Sequence, residues 1–219
     1  MKANNTPMIL VGQFDSPFVR RVAVTLNHYH MPFTRNAISV FRNIPELQKI
    51  NPLIRVPCLI LESGETLIDS SAIIDHLDEM AGPARALTPA HGPQRRKVLQ
   101  AVVMALGTTD KAVALFYERL FHIDKHINRD LEKRVLSQIR AGLDRLEHDC
   151  GAPWFFDDKF TQADVTIGCM AGFMKLRLPD VFPNDKFPKL HALALHCETK
   201  EDFVKARPSP EESSAGARK

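Results

Sequence analysis

The stretch that most constrains the fold runs from residue 51 to residue 71, Asn-Pro-Leu-Ile-Arg-Val-Pro-Cys-Leu-Ile-Leu-Glu-Ser-Gly-Glu-Thr-Leu-Ile-Asp-Ser-Ser. Two apolar runs, Val56 to Leu61 and Thr66 to Ile68, flank Glu62-Ser63-Gly64-Glu65, the pattern of two short strands joined by a tight turn. Pro57 stands at the start of the first strand, where a missing N–H is tolerated. Asp69-Ser70-Ser71 then leads into a segment in which Ile73, Ile74 and Leu77 form a helical stripe. Asp69 or Ser70 therefore caps a helix. The free N–H groups and the positive dipole end at that cap favour an anion.

Upstream, Met8 to Gly12 reads as a short strand closed by glycine. Ser16-Pro17 then gives a helix start, Ser as cap and Pro at the first helical position. Phe18, Val22 and Leu26 recur every four residues, so one face of this helix packs. Phe33 to Val40 alternates loosely, as a second strand would. Ile44 to Ile50 is a short helix stopped by Asn51-Pro52. The order is strand, helix, strand, helix, strand, strand, helix, which puts helices on the faces of a small mixed sheet.

Past Ala81-Gly82-Pro83 and Pro89-Ala90-His91-Gly92-Pro93 the character changes. The expected division is a first domain over 1–82, a linker over 83–91 and an all-helical domain over 92–207. Val98, Val102, Ala105 and Leu106 mark one helix, continued by Ala112 to Leu120. Leu131, Val135, Leu136, Ile139, Leu143 and Leu146 mark the next, ending near Cys150-Gly151. Thr161 and Asp164 have capping-box spacing, with Phe160 and Val165 placed as a hydrophobic staple. Phe187-Pro188-Lys189-Leu190 opens a further short helix. The small, polar and charged run over 208–219 reads as a disordered tail.

Composition narrows the function. A hydrophobic share of 44% and a charged share of 25% suit a soluble globular chain. A net charge of +3 over 219 residues does not argue for nucleic acid. No run of apolar residues approaches the roughly 20 needed to cross a bilayer, and the polar start carries no export signal, so a cytoplasmic protein without a membrane partner is expected. Cys58, Cys150, Cys169 and Cys197 form no C-x-x-C pair and read as free thiols. His122 and His126 are four apart, but no third ligand is evident, so no metal is expected.

Val56-Pro57-Cys58-Leu59 followed by Asp69-Ser70-Ser71-Ala72-Ile73-Ile74 resembles the glutathione-binding half-site of cytosolic glutathione transferases. The order of elements resembles their α/β thioredoxin-like N-terminal domain, and the Thr161-to-Asp164 box their C-terminal all-α domain, where it serves folding. Ser16-Pro17-Phe18 with Arg21-Val22 most resembles the serine-type enzymes, the plant tau class and related bacterial proteins. The resemblance implies a cis Val56-Pro57 bond, with the backbone before Pro57 pairing with the cysteinyl part of glutathione. It also implies that Asp69 and Ser70 hold the γ-glutamyl end. It places Arg42 and Arg55 at glutathione carboxylates, and Phe14, Lys111 and Tyr117 beside a second substrate.

The thiol of glutathione is a poor nucleophile until it loses its proton. A hydroxyl that donates to the thiolate, at a positive helix end, selects the charged form. Ser16 is the residue in place for this; its other reading is a helix cap alone. Cys58 lies on a core strand and points beside the site or away from it, according to a one-residue register choice. Arg20 and Arg21 read as structural residues or as part of a subunit interface. The implied function is glutathione conjugation to a hydrophobic electrophile, with hydroperoxide reduction a variant. Glutathione is the co-substrate, and the family's usual assembly is a homodimer. The alternatives are a glutathione-dependent isomerase, a reductive dehalogenase or a non-catalytic adaptor of the same fold. Asp15-Ser16-Pro17 departs from the Ser-Ser-Cys start usual for the isomerases.

Overall fold

A computed structural model describes residues 7–122 and 128–214. The chain divides into two compact units, residues 1–86 with 201–212, and residues 87–200 with 213–219.

The first unit is built on a four-stranded mixed sheet of β1 (Met8–Val11), β2 (Phe33–Asn36), β3 (Cys58–Ile60) and β4 (Thr66–Ile68), in the order β2-β1-β3-β4. β1 pairs parallel with β2 and antiparallel with β3, and β3 pairs antiparallel with β4. Leu10, Val11, Cys58 and Leu59 on the two central strands are fully buried, whereas the edge strands alternate in exposure. Val11 and Cys58 join Ile38 and Leu47 in one core cluster. Leu47 comes from α2 (Ile44–Ile50).

α1 (Pro17–His28) packs on α3 (Ser70–Ala81). Val19, Val22, Ala23 and Leu26 are buried on α1, and Ile73, Ile74 and Leu77 on α3. Each Val, Leu or Ile side chain among them contributes about 1.5–3 kcal/mol when fully buried. The buried Tyr29 hydroxyl donates to the buried Asp78 carboxylate through a short hydrogen bond.

β2 is shorter than the sequence pattern suggests. The Ile38 N–H turns back to the Asn36 carbonyl at 2.8 Å, and the Ser39 N–H donates to Asn43 Oδ1 at 3.2 Å. The backbone thus leaves the ladder after Asn36, and residues 37–40 form no strand.

The second unit holds α4 (Gly92–Phe121), α5 (Arg129–Asp149), α6 (Gln162–Arg177) and α7 (Pro188–Thr199). α6 is its centre, in contact with α4 and α7, and buries residues on every side from Gln162 to Met174. A core helix of this kind needs no amphipathic stripe. α4 is long and apolar enough to cross a bilayer, with a mean hydropathy of 1.4 over its most apolar 18 residues, contrary to the sequence expectation. Its buried residues, among them Val98, Ala105, Ala112 and Leu115, sit in a helix packed on α5 and α6. On α5, Ile139, Leu143 and Leu146 are buried as the stripe suggests, but Leu131 is exposed. Beyond β4 the described residues show only isolated bridges, at Trp154–Asp157 and Phe156–Lys159.

The expected boundaries shift in two places. Leu87 and Thr88, placed in a linker by sequence, are buried, and the Gln162 N–H donates to the Leu87 carbonyl at 3.1 Å. Residues 201–212, placed in the helical domain and its tail, belong to the first unit. There α8 (Glu201–Val204) packs on α1, with Phe203 and Ala206 fully buried. The expected disorder from 208 is corrected as far as 214, since α9 (Pro210–Ser214) is helical and Glu212 is buried. Residues 215–219 lie outside those described.

Candidate functional site

Strand register gathers the loops singled out by sequence. Val11 pairs with Cys58, and Cys58 with Ile68. The loop after β1, the loop before β3 and the loop after β4 therefore leave the sheet along the same edge. They carry Phe14 and Ser16, then Arg55, Val56 and Pro57, then Asp69 and Ser70.

Gly12 lets the first two loops close on each other. It has φ +129°, and a Cβ there would lie 2.5 Å from Val19 Cγ2 and 3.0 Å from Val56 Cβ. No larger residue fits without moving α1 or the Val56 loop. The Val56–Pro57 peptide is cis.

Ser16 is the N-cap of α1, and its Oγ accepts from the Val19 N–H at 3.4 Å. The cap reading is therefore met. It uses one lone pair, at a long distance, and leaves the hydroxyl proton available to a ligand. Ser16 is half-buried, Pro17 supplies no N–H, and the first turn holds no acidic residue. The positive end of α1 is not answered by a carboxylate from its own turn.

At α3 the structure chooses Asp69 as the cap. Its Oδ1 accepts from the Ser71 N–H at 2.8 Å. Asp69 has φ 69°, a conformation that costs a non-glycine residue on the order of 1–3 kcal/mol and concentrates at functional positions. Its side chain is exposed, whereas Ser70 is buried. The Ser70 hydroxyl accepts from Arg21 Nη1 at 3.0 Å, and Arg21 is only 2% exposed. This guanidinium, 49 residues away in the chain, ties the start of α3 to α1. The sequence marked Arg21 as structural or interfacial. Burial places it inside the unit, where it fixes the position of a candidate ligand-holding hydroxyl. Arg20 is likewise buried and donates from Nε to the Ala206 carbonyl at 3.0 Å.

Arg55 is exposed beside Val56, and Arg42 is exposed ahead of α2. Lys111 and Tyr117 are exposed on α4, in the second unit. Phe14 is buried at the β1–α1 loop, with the Arg35 guanidinium 3.7 Å from its ring centre. Cys58 is fully buried with Val11 and Leu47, which settles its orientation toward the core. Burial pushes its thiol above the usual range, against a hydrogen bond with Asn51 that lowers it.

Glu212 was missed by the sequence reading. It is 3% exposed and accepts from the Phe14 N–H at 3.0 Å and from the Ser209 N–H at 2.7 Å. It also pairs closely with Arg35. Ser209 Oγ accepts in return from the Glu212 N–H at 3.2 Å. Ser209-Pro210-Glu211-Glu212 is thus a capping box with Pro at the first helical position. That signal was legible and was overridden by the polar composition around it.

In the second unit, Thr161 and Asp164 form the expected closed box. Asp164 Oδ2 accepts from the Thr161 N–H at 2.7 Å and from its hydroxyl at 3.1 Å, and Oδ1 accepts from the Phe155 N–H at 2.7 Å. Burial raises the Asp164 carboxyl above its ordinary value, and these hydrogen bonds pull it back. Among the described residues no group of three or more His, Cys, Asp or Glu side chains is placed to hold a metal ion. His122 pairs with Glu118 at 3.2 Å, and His126 lies outside the described residues.

This mixed sheet, with three loops gathered along one edge and a separate helical unit, defines a thioredoxin-like protein joined to an all-helical domain. Residues 10–85 match the family model of the glutathione S-transferase N-terminal domain, and residues 111–193 that of the C-terminal domain. The chain belongs to the glutathione S-transferase family. It is 26% identical over 204 residues to an uncharacterized GST-like protein, YibF, of Escherichia coli K12, covering 92% of this chain and 98% of that one. A glutathione S-transferase from Methylobacillus flagellatus KT, solved with glutathione bound, is 27% identical with a TM-score of 0.84, over 92% of this chain and all of that one. Glutathione S-transferase U17 of Arabidopsis thaliana is 22% identical over 183 residues, 76% of this chain and 73% of that protein.

Proposed function

We propose that the chain is a glutathione transferase, which binds glutathione along the edge formed by the loops after β1, before β3 and after β4. The Ser16 hydroxyl donates to the glutathione thiolate, and the open N-terminus of α1 adds positive potential. The Val56 backbone pairs with the cysteinyl unit. Asp69 and Ser70 hold the γ-glutamyl end, Asp69 through its charge and Ser70 through a hydroxyl fixed by Arg21. Arg55 and Arg42 serve the carboxylates of the tripeptide. The activated thiolate attacks an electrophilic carbon: the sulfur–carbon bond forms, the leaving group departs with its electron pair, and the thiol proton goes to solvent.

The observation that carries this reading is the single edge, where the N-cap hydroxyl of a helix with no acid in its first turn shares the edge with the Val56 loop and the Asp69 cap. Calorimetry with glutathione, followed by turnover of a chromogenic aryl halide, tests it. Binding in the wild type and loss of turnover in Ser16→Ala, with binding retained, are expected. No heat at millimolar glutathione together with no turnover would favour the adaptor reading, and heat without turnover of aryl halides or hydroperoxides would leave a glutathione-binding protein that is not a transferase.

A further inference from the structure

We propose that Glu212, near the far end of the chain, is a positioning residue for the thiol-activating loop. The inference rests on the glutathione transferase reading for its kinetic consequences, but not for its structural ones.

The loop between β1 and α1 spans residues 12–16 and carries Ser16. Within it, the Ser16 N–H reaches the Gln13 carbonyl at 3.2 Å, and the Gly12 N–H reaches the Asn36 carbonyl at 2.9 Å. The Phe14 N–H, at the centre of the loop, donates to a side chain 198 residues away, Glu212. The same Oε1 atom pairs with Arg35, whose guanidinium lies over the Phe14 ring and whose Nε faces the Gly12 carbonyl at 3.4 Å. One buried carboxylate thus clamps the loop twice: directly through the Phe14 N–H and indirectly through Arg35. Burial draws Arg35 below its ordinary range against the nearby Asp15 charge, and an arginine in such a place stays charged.

Glu212 is itself held. Its second oxygen accepts from the Ser209 N–H, and Ser209 Oγ closes the box. The strap that delivers it lies along α1. Arg20 donates to the Ala206 carbonyl at 3.0 Å, and Asn27 Nδ2 to the Asp202 carbonyl at 3.0 Å. Such anchoring exceeds what a passive tail requires. It terminates on the loop whose backbone sets the direction of the Ser16 hydroxyl. A shift on the order of 1 Å at such a donor costs about 100-fold in rate.

The test compares Glu212→Ala and Glu212→Gln in the full chain. Glutamine retains an acceptor for the Phe14 N–H but loses the charge that holds Arg35. Two readouts are taken. Hydrogen exchange at peptides covering 12–16 is independent of activity. It is expected to quicken at least tenfold in Glu212→Ala, less in Glu212→Gln, and not at all at α6. The pH profile of kcat/KM for the electrophile at saturating glutathione is expected to move its acid limb upward in Glu212→Ala, with kcat lower by about tenfold and KM for glutathione within threefold. Glu212→Gln should recover part of kcat. Unchanged loop exchange in Glu212→Ala would overturn the inference, as would faster exchange with an unmoved pH profile. If Glu212→Ala does not fold, the Glu212→Gln comparison decides by the same two criteria. A wild type that does not bind glutathione would sink the transferase reading. The exchange result would then still decide whether Glu212 holds the loop.

Discussion

Two helix starts in this molecule use the same device for opposite ends. At α6, Thr161 caps the helix and Asp164 answers it three residues on, inside a fully buried box. At α1, Ser16 caps the helix through one long hydrogen bond, and no acid stands in the first turn. The first start is electrically closed and holds the fold. The second keeps a hydroxyl proton and a positive helix end half-exposed. A carboxylate within the first turn thus distinguishes the closed start of α6 from the start of α1.

The largest effect is expected at the closed start. Asp164→Ala strands two buried N–H groups, at Phe155 and Thr161, and should cost about 3–5 kcal/mol of stability in urea titrations. The folded fraction should still bind glutathione. A loss under 1 kcal/mol would mean that the box is not closed in solution.

The next effect closes the open start. Ser16→Asp puts a strong cap and a negative charge where the thiolate would lie. Stability should stay within about 0.5 kcal/mol of the wild type, because aspartate and serine cap comparably. Turnover should fall by on the order of 100-fold or more. Retained turnover would break the contrast between the two starts. Ser70→Ala, which removes the hydroxyl that Arg21 Nη1 donates to, should weaken glutathione about tenfold by calorimetry, the scale of a hydrogen bond to a charged group.

The two starts were legible to different degrees. Ser16-Pro17, Asp69-Ser70 and Thr161-to-Asp164 announce themselves because capping is local, written within four residues. The partners that give them roles are not local. Arg21 looks like any charged helical residue until Ser70 meets it. Glu212 looks like tail until Phe14 and Arg35 meet it. Leu131 belongs by spacing to a buried stripe, yet stands exposed at the first turn of α5. Periodicity states which side chains could pack, not which of them meet a neighbour. Strand register, which aligns Val11, Cys58 and Ile68, likewise depends on pairing that no local pattern states.

The smallest expected effect concerns the cysteines. All four are buried. Burial, with the charges of Glu147 and Asp164, pushes the Cys150 thiol up to about 12, and burial raises Cys58 and Cys197 as well. A thiol held above its ordinary value carries almost no thiolate at neutral pH. Native protein should therefore react with an aromatic disulfide reagent only as fast as it unfolds, and Cys58→Ala should keep kcat within about twofold. A rapidly titrating thiol would place a second nucleophile in the molecule and weaken the assignment to Ser16.

The most direct measurement is the ultraviolet absorbance of the thiolate of bound glutathione, followed against pH in the wild type and in Ser16→Ala. The wild type should titrate at least one pH unit below free glutathione, and Ser16→Ala should return most of the way to it, each unit being about 1.4 kcal/mol of preference for the anion. Identical curves for the two proteins would contradict the account.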